Sequence, residues 1–226
     1  MPVISSNGVA EFTVMLLLIC LRQYKHASWR GQVNDYSLAG LQEKELHDLT
    51  VGVIGRTFIK IIQGIGCKVL AYDVHQNEKV KQYATYVDLD TLYHGADVIS
   101  LHVPLLDSTY HMINKENISR MKDQVIIINC SRGGLIDTKD IIETVENKKI
   151  DALGLDAIEG EEGITHIDHR SDIIANKNMA YLHQFPNVIM AQHMAFYTNT
   201  AVKYMVDSGI GNLVEMNKSN HYPNEI

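Results

Sequence analysis

Short apolar runs separated by helix-like stretches dominate the chain from Thr50 onward. Continuous apolar strands that alternate with helices are typical of a parallel sheet covered by helices on both faces. The pattern therefore predicts an α/β fold with a doubly wound parallel sheet. The predicted strands are residues 51–54, 69–72, 98–103, 125–129, 152–155 and 188–190.

Helices are predicted before, within and after this region. Residues 8–24 have a helical pattern, and Asp137-Thr138 is a suitable N-terminal cap for a helix over 139–147. Residues 198–218 predict one helix, broken near Gly209-Ile210-Gly211. Two stretches predict irregular structure, 25–48 and the long polar connection 156–179.

The first two strands form a recognisable unit. Strand 51–54 runs into Gly55, a helix-like stretch follows, and the second strand ends at Asp73. This order of strand, glycine turn, helix, strand and acid is the Rossmann-like dinucleotide-binding unit. The glycine loop is incomplete, because Arg56-Thr57-Phe58 follow Gly55 where Gly-x-Gly-x-x-Gly is expected. We expect the fold to survive and pyrophosphate binding to suffer, because backbone N–H groups at the helix start are missing or displaced.

The ends of the predicted strands carry the candidate chemistry. In such a sheet, ligands bind beyond the carboxyl ends of the strands. The candidate site therefore comprises Gly55, Asp73, His102-Val103-Pro104, Cys130-Ser131-Arg132-Gly133-Gly134, Asp156 and Gln192-His193.

Composition excludes several classes of function. The net charge is −7 with no basic stripe, so nucleic acid and anionic membranes are not expected partners. Cys20, Cys67 and Cys130 are far apart, which argues against a disulfide framework or zinc site and favours the cytoplasm. The apolar run 12–21 is too short to span a bilayer, and without a preceding basic segment it does not resemble a signal peptide.

Four segments resemble one family. They are Leu-His-Val-Pro-Leu at 101–105, Ile-Asn-Cys-Ser-Arg-Gly-Gly-Leu-Ile-Asp at 128–137, Leu-Asp-Ala-Ile-Glu-Gly-Glu at 155–161, and the stretch 185–198. Together they resemble the D-isomer-specific 2-hydroxyacid dehydrogenases, and the motifs at 159–163 and 194–198 resemble the D-lactate dehydrogenase branch. That family inserts an NAD-binding domain within a substrate domain.

The resemblance implies a division of the chain. Residues 1–48 are expected to form a connecting helix and dimerisation arm, 49–197 the NAD-binding Rossmann domain, and 198–226 a C-terminal return helix and tail. The substrate domain is expected to be mostly missing. The resemblance also implies a homodimer with 8–24 and 25–48 at the interface, where Met15, Leu17, Leu18 and Trp29 are expected to be exposed.

The family also implies roles for three catalytic residues. Arg132 would clamp the carboxylate of a 2-ketoacid or 2-hydroxyacid substrate with paired hydrogen bonds. His193 would exchange a proton with the ketone oxygen, a task that suits an imidazole near neutral pH. Glu161 would orient His193, with Glu159 and Glu162 as alternatives better interpreted as solvated loop acids.

Ten residues are predicted to bind NAD. Asp73 would accept hydrogen bonds from the adenine ribose, and no arginine follows it, which favours NAD over NADP. The family's loop contains Thr-Gly-x-Ile-Gly after its first Ile-Gly, so Gly55 corresponds either to the first glycine or to the last. The full set is Gly52, Gly55, Arg56, Asp73, His102, Val103, Pro104, Cys130, Ser131 and Asp156.

No metal is predicted. His166 and His169 have i,i+3 spacing but fall in a polar loop without cysteine, and we expect both to be solvated.

Three hypotheses for function remain open at this point. The first is an NAD-dependent D-2-hydroxyacid dehydrogenase, a 2-ketoacid reductase by lineage. The second is a degenerate or fragmentary family member with weak NAD binding and little activity. The third is a non-enzymatic binding protein of the same fold, like the corepressors that resemble this family.

Overall fold

The structure is a computed structural model that describes residues 6–219; the outer ends of the predicted segments, 1–5 and 220–226, lie outside it. Strands and helices alternate from residue 50 onward. The strands are β1 Thr50–Gly55, β2 Lys68–Tyr72, β3 Thr85–Tyr86, β4 Val98–His102, β5 Val125–Asn129, β6 Ile150–Leu155 and β7 Val188–Met190. The helices are α1 Ser6–Leu21, α2 Tyr24–Gln32, α3 Ile59–Gly64, α4 Leu89–Gly95, α5 Lys115–Ser119, α6 Thr138–Glu146, α7 Lys177–Leu182 and α8 Asn199–Ser219.

All seven strands form one parallel sheet in the order β3-β2-β1-β4-β5-β6-β7. Val51 of β1 pairs with Val69 on one side and with Val98 on the other. The chain order reverses between β1 and β4, which makes the carboxyl ends of these strands the switch point where ligands bind. The predicted α/β Rossmann-like fold is confirmed.

Helices cover both faces of the sheet. On one face, α1 and α3 pack on the sheet through residues such as Leu16, Leu17 and Ile62. On the other face, α4 to α6 pack through residues such as Leu92, Ile118 and Ile141. Because α1 packs against β5 and β6, it is a layer over the sheet. The predicted division at residue 48 stays a prediction.

Two expectations for the N-terminal segment are wrong. Residues 24–32 form α2, although 25–48 were expected to be irregular. The Lys25 ammonium donates hydrogen bonds to the carbonyls of His183, Phe185 and Val188 at 2.8–2.9 Å, a distant anchor that no local pattern reveals. Leu17 is fully buried at 0% exposure, because it faces the sheet and not solvent.

The remaining comparisons with the predicted elements concern β3, α8 and α6. β3, which has two residues, was not predicted. The predicted break in the last helix is wrong, since α8 continues through Gly209 and Gly211. A helical glycine costs about 1 kcal/mol, which weakens a helix without interrupting it. The Asp137 cap of α6 is confirmed, because its carboxylate accepts from the N–H groups of Lys139 and Asp140.

The apolar run 12–21 lies inside α1. Within residues 6–219, none of the helices combines the length and the apolar character that a bilayer crossing requires.

Candidate functional site

An imidazole and a carboxylate meet where β7 and β6 end. His193 Nδ1 lies 2.6 Å from Glu161 Oε1, and their side chains are 25% and 13% exposed. The second oxygen of Glu161 accepts from the N–H of Ile158 at 3.1 Å. The carboxylate is thereby fixed from two sides, and it holds one ring nitrogen of His193 while the other is left for a ligand.

Backbone contacts fix the position of His193. Its φ is +55°, in the left-handed region that few residues other than glycine adopt. Asp156, buried at the end of β6, accepts from the N–H groups of Met194 and Ala195 at 2.8 and 2.9 Å. The His166 ring nitrogen lies 3.0 Å from the His193 carbonyl oxygen. These bonds hold the strained main chain around the imidazole.

Arg132 lies in the turn after β5. The Asn129 amide shapes this turn, accepting from Ser131 N at 3.0 Å and donating to the Arg132 carbonyl at 2.9 Å. The Ser131 hydroxyl donates to the Leu101 carbonyl and ties the turn to β4. The guanidinium is exposed and donates to its neighbour's carbonyl at 2.8 Å, which leaves further N–H groups for a ligand.

Gly133 presses this turn against the chain that follows β6. A Cβ at Gly133 would lie 2.2 Å from the Ile158 carbonyl carbon and 2.3 Å from Glu159 N. The Arg132 turn and the segment that carries Glu161 are therefore in backbone contact. We call Arg132, Glu161 and His193, on these adjoining segments, the imidazole–carboxylate site.

Glu159 was expected to be a solvated loop acid, and this is wrong. It accepts hydrogen bonds from His111 Nε2 at 2.8 Å and from the Thr138 hydroxyl at 3.0 Å. Burial opposes its ionisation, but these hydrogen bonds outweigh it and lower the pKa of Glu159. Glu162 is exposed, as expected. Of the three acids, Glu161 contacts His193.

A cavity of about 710 Å³ opens at the carboxyl ends of β1, β2 and β4, and we call it the cleft. Six of the residues predicted to bind NAD line it: Gly55, Arg56, Asp73, His102, Val103 and Pro104. Tyr72, His75, Leu89, Tyr110 and His111 also line it, and sequence reasoning missed them. The Asp73 carboxylate, half-buried at the strand end, accepts from His75 N at 2.9 Å.

The turn between β1 and α3 has a different character. Only Arg56, Thr57 and Phe58 connect the two elements, and no side chain caps α3. Gly55 has φ +104°, and a Cβ there would lie 2.3 Å from the His102 carbonyl oxygen. Phe58 is fully buried and stacks on the His102 ring at 5.3 Å. The last residue of the short turn is therefore buried against His102, one of the residues that line the cleft.

His102 has no carboxylate partner among the described residues. Its Nε2 lies 2.8 Å from the Ser100 hydroxyl. Burial lowers the pKa of His102 from 6.5 to about 3, which keeps the ring neutral.

The remaining four predicted NAD-binding residues, all described, do not line the cleft. Gly52 lies inside β1, where a Cβ would meet Leu92 at 2.7 Å. Cys130 is buried beside α1, and burial raises its pKa to about 12. Ser131 and Asp156 hold backbone segments as described above. Their assignment as cofactor ligands stays a prediction.

Of the two loop histidines that were expected to be solvated, His166 is exposed and His169 is partly buried. His166 contacts the His193 carbonyl, and His169 Nε2 is buried without a hydrogen-bond partner in the described part of the chain. Across residues 6–219, no group of three or more His, Cys, Asp or Glu side chains is arranged to hold a metal ion.

The chain is similar in sequence to a known family and to several known proteins. A family model described as "D-isomer specific 2-hydroxyacid dehydrogenase, NAD binding domain" matches residues 14–195. The aromatic 2-oxoacid reductase of Clostridium sporogenes is 44% identical over 220 residues, which are 95% of this chain. The chain spans 66% of that relative's length.

Structural comparison agrees. The pyruvate reductase of Chlamydomonas reinhardtii superposes with a TM-score of 0.93 at 36% identity, covering 99% of this chain and 70% of that one. D-lactate dehydrogenase with NAD⁺ from Lactobacillus jensenii gives a TM-score of 0.88 at 33% identity, covering 100% of this chain and 70% of that one.

Proposed function

The chain belongs to the D-isomer specific 2-hydroxyacid dehydrogenases and carries their NAD-binding domain, and from this premise we propose that it acts as an NAD-dependent 2-ketoacid reductase. The observation that carries the proposal is the 2.6 Å contact between His193 and Glu161 at the carboxyl edge of the sheet. A carboxylate that holds one ring nitrogen fixes the tautomer and orientation of an imidazole that transfers protons through the other.

Each residue of the imidazole–carboxylate site has a distinct task in this proposal. The Arg132 guanidinium binds the substrate carboxylate and orients the ketone. His193 donates a proton to the ketone oxygen during reduction and removes it during oxidation of the D-2-hydroxy acid. Glu161 keeps the imidazole in place and stabilises its charged form.

The cleft fits the adenosine end of NAD. Asp73, at the end of β2, is placed to accept hydrogen bonds from ribose hydroxyls. When bound, NAD supplies the hydride for reduction and accepts it in the reverse reaction.

The turn after β1 does not fit the pyrophosphate. Its three residues, of which Phe58 is buried, leave no glycine-lined row of N–H groups at the start of α3. This observation favours the second candidate, a family member that binds NAD weakly and turns over slowly.

A titration of the purified chain with NADH, monitored by fluorescence, separates the two candidates. NADH oxidation with pyruvate and with an aromatic 2-oxoacid such as phenylpyruvate is then measured. For a working reductase we expect turnover that H193Q lowers by about a thousandfold, the middle of the range for general acid catalysis. A cooperative melt without turnover would contradict the reductase and support the impaired member.

We also propose a homodimer formed through α1 and α2. Trp29 is 62% exposed, and with Tyr24 and Met190 it lines a groove of about 700 Å³. Met15 and Leu18 add exposed apolar surface on α1. A monomer by light scattering at micromolar concentration would contradict this. The free, buried cysteines are consistent with the cytoplasm that we propose as the location.

A further inference from the structure

His111 lies between two carboxylates. Its Nδ1 is 3.1 Å from Asp137 Oδ2, and its Nε2 is 2.8 Å from Glu159 Oε1. The ring is 24% exposed and stacks on Tyr110 at 3.8 Å, and the Tyr110 hydroxyl also contacts Glu159. Both ring nitrogens of this imidazole therefore have an acidic partner.

The two carboxylates come from different parts of the imidazole–carboxylate site. Asp137 caps α6 and follows the turn that carries Arg132. Glu159 lies two residues before Glu161 in the turn after β6. His111 thus bridges the segment of the proposed substrate clamp and the segment of the proposed proton-transfer pair.

Backbone bonds attach His111 to the first of these segments. His111 N donates to the Gly134 carbonyl at 2.9 Å, and Asp137 N donates to the Ile113 carbonyl at 2.9 Å. Residues 111–113 therefore run beside 134–137, directly after Arg132. His111 itself has φ +50°, a conformation in which the surrounding contacts must hold it.

Glu159 lies within the short turn that positions Glu161. The bond from Ile158 N to Glu161 Oε2 closes a turn with Glu159 inside it. The Asn176 amide donates to the Glu159 carbonyl at 3.0 Å, and Gly133 presses on the backbone of Ile158. Release of the Glu159 side chain would free the centre of the turn that aims Glu161 at His193.

Whether His111 can donate to both carboxylates depends on the protonation state of its ring. A neutral imidazole carries one N–H and can donate to only one carboxylate, whereas an imidazolium donates to both. The charged and titratable groups that face the ring are Asp137 from the start of α6, Glu159 from the turn after β6, and Tyr110 from its own segment.

We propose that His111 is a positioning residue that, in its protonated form, braces the Arg132 segment against the Glu159–Glu161 turn. The proposal rests on the proposed function, since it assigns His111 a purpose in that site. No direct contact between His111 and substrate is required.

Amide hydrogen exchange on the full chain without ligands tests the brace independently of turnover. We compare wild type with H111N, because asparagine tolerates a left-handed backbone but is too short to bridge both carboxylates. Exchange at residues 158–161 and 134–137 should be at least about tenfold faster in H111N, through local opening of the turn. H94N, on the exposed side of α4, is the matched control and should leave these amides unchanged.

The pH profile distinguishes a charged brace from simple packing. After correction for intrinsic exchange, opening of the turn in wild type should be greater at about pH 8 than at about pH 5, because a neutral imidazole can donate to only one of the two carboxylates. H111N and E159Q should show flat profiles, and E159Q carries the test if H111N does not fold. Wild-type exchange in either folded variant, or a flat profile in wild type, would overturn the proposal whether or not the chain oxidises NADH.

Discussion

The two ends of the sheet's carboxyl edge differ in how their sites are built. At the β5-β6-β7 end, the imidazole–carboxylate site is held by charged side chains, with Glu161 on His193 and Asp156 on the backbone beyond it. At the β1-β2-β4 end, the cleft keeps Asp73 but has a three-residue turn whose last residue, Phe58, is buried. In the first site an imidazole and a carboxylate are already paired, whereas in the second no glycine stands between Gly55 and α3.

The contrast between the two ends shows which parts of a Rossmann-like unit depend on each other. β1 still pairs with β2 and β4 in unbroken register, because strand pairing is determined by the strands and their buried faces. A pyrophosphate cradle depends instead on the path between strand and helix. A short turn can therefore remove the cradle and leave the sheet intact.

The largest effect on stability that we predict lies in the imidazole–carboxylate site. In G133A the new Cβ would collide with the Ile158 and Glu159 backbone, so the two segments of the imidazole–carboxylate site must separate. We expect a loss of about 3 kcal/mol in the free energy of unfolding, at the upper end for overpacking. Urea denaturation measures it.

The neighbouring glycine supplies the control for this prediction. In G134A the Cβ would meet the end of the flexible Leu105 side chain at 3.1 Å, which can move aside. We expect a loss below about 1 kcal/mol, as for tolerated small changes. Equal losses in the two variants would mean that the tight contact between the segments has no special weight.

The second prediction concerns the short turn between β1 and α3. Insertion of Thr-Gly-x-Ile-Gly after Gly55 should restore N–H donors at the start of α3 and strengthen NADH binding by about tenfold to a hundredfold, or about 1.4–2.7 kcal/mol. Calorimetry measures the affinity, and a thermal melt checks the fold. An insertion of equal length with alanine in place of both glycines should not strengthen binding. No gain from the glycine insertion would show that the short turn is not what limits the cleft.

The sheet was largely predictable because its strands are continuous apolar runs. β5 and β7 were predicted to the residue, and β1, β2, β4 and β6 to within two residues at each end. β3 is too short to give a pattern, and α2 depends on a contact between Lys25 and carbonyls about 160 positions away. β3 was therefore missed because of its length, and α2 because a distant contact holds it.

The candidate site was predictable where strand ends carry reactive side chains. Arg132, Glu161 and His193 lie on adjoining segments, and their catalytic roles stay a prediction. Asn129 was missed, although an asparagine that ends an apolar strand before Ser-Arg-Gly-Gly indicates an Asx turn. His111 was missed because its partners Asp137 and Glu159 follow it by 26 and 48 positions.

The smallest predicted effect concerns the free energy of unfolding at acidic pH, through the protonation of His102. His102 stacks on Phe58 without a carboxylate partner among the described residues, whereas His193 faces one carboxylate and His111 faces two. Burial lowers the pKa of His102 from 6.5 in a solvated chain to about 3 in the fold. Below pH 6.5 the unfolded state therefore binds a proton at this position that the folded state does not.

The sign follows from proton linkage, because stability falls with falling pH wherever the unfolded state binds more protons. Between about pH 6 and pH 5, His102 should cost wild type about 1 kcal/mol in the free energy of unfolding, close to the limit of 1.4 kcal/mol per pH unit for one proton. H102Q, which keeps a polar group near Ser100, should lose that much less over the same interval. Urea denaturation at the two pH values measures the difference, and H94Q is the control for a solvated histidine. If wild type and H102Q weaken in parallel, His102 does not stay neutral in the folded chain.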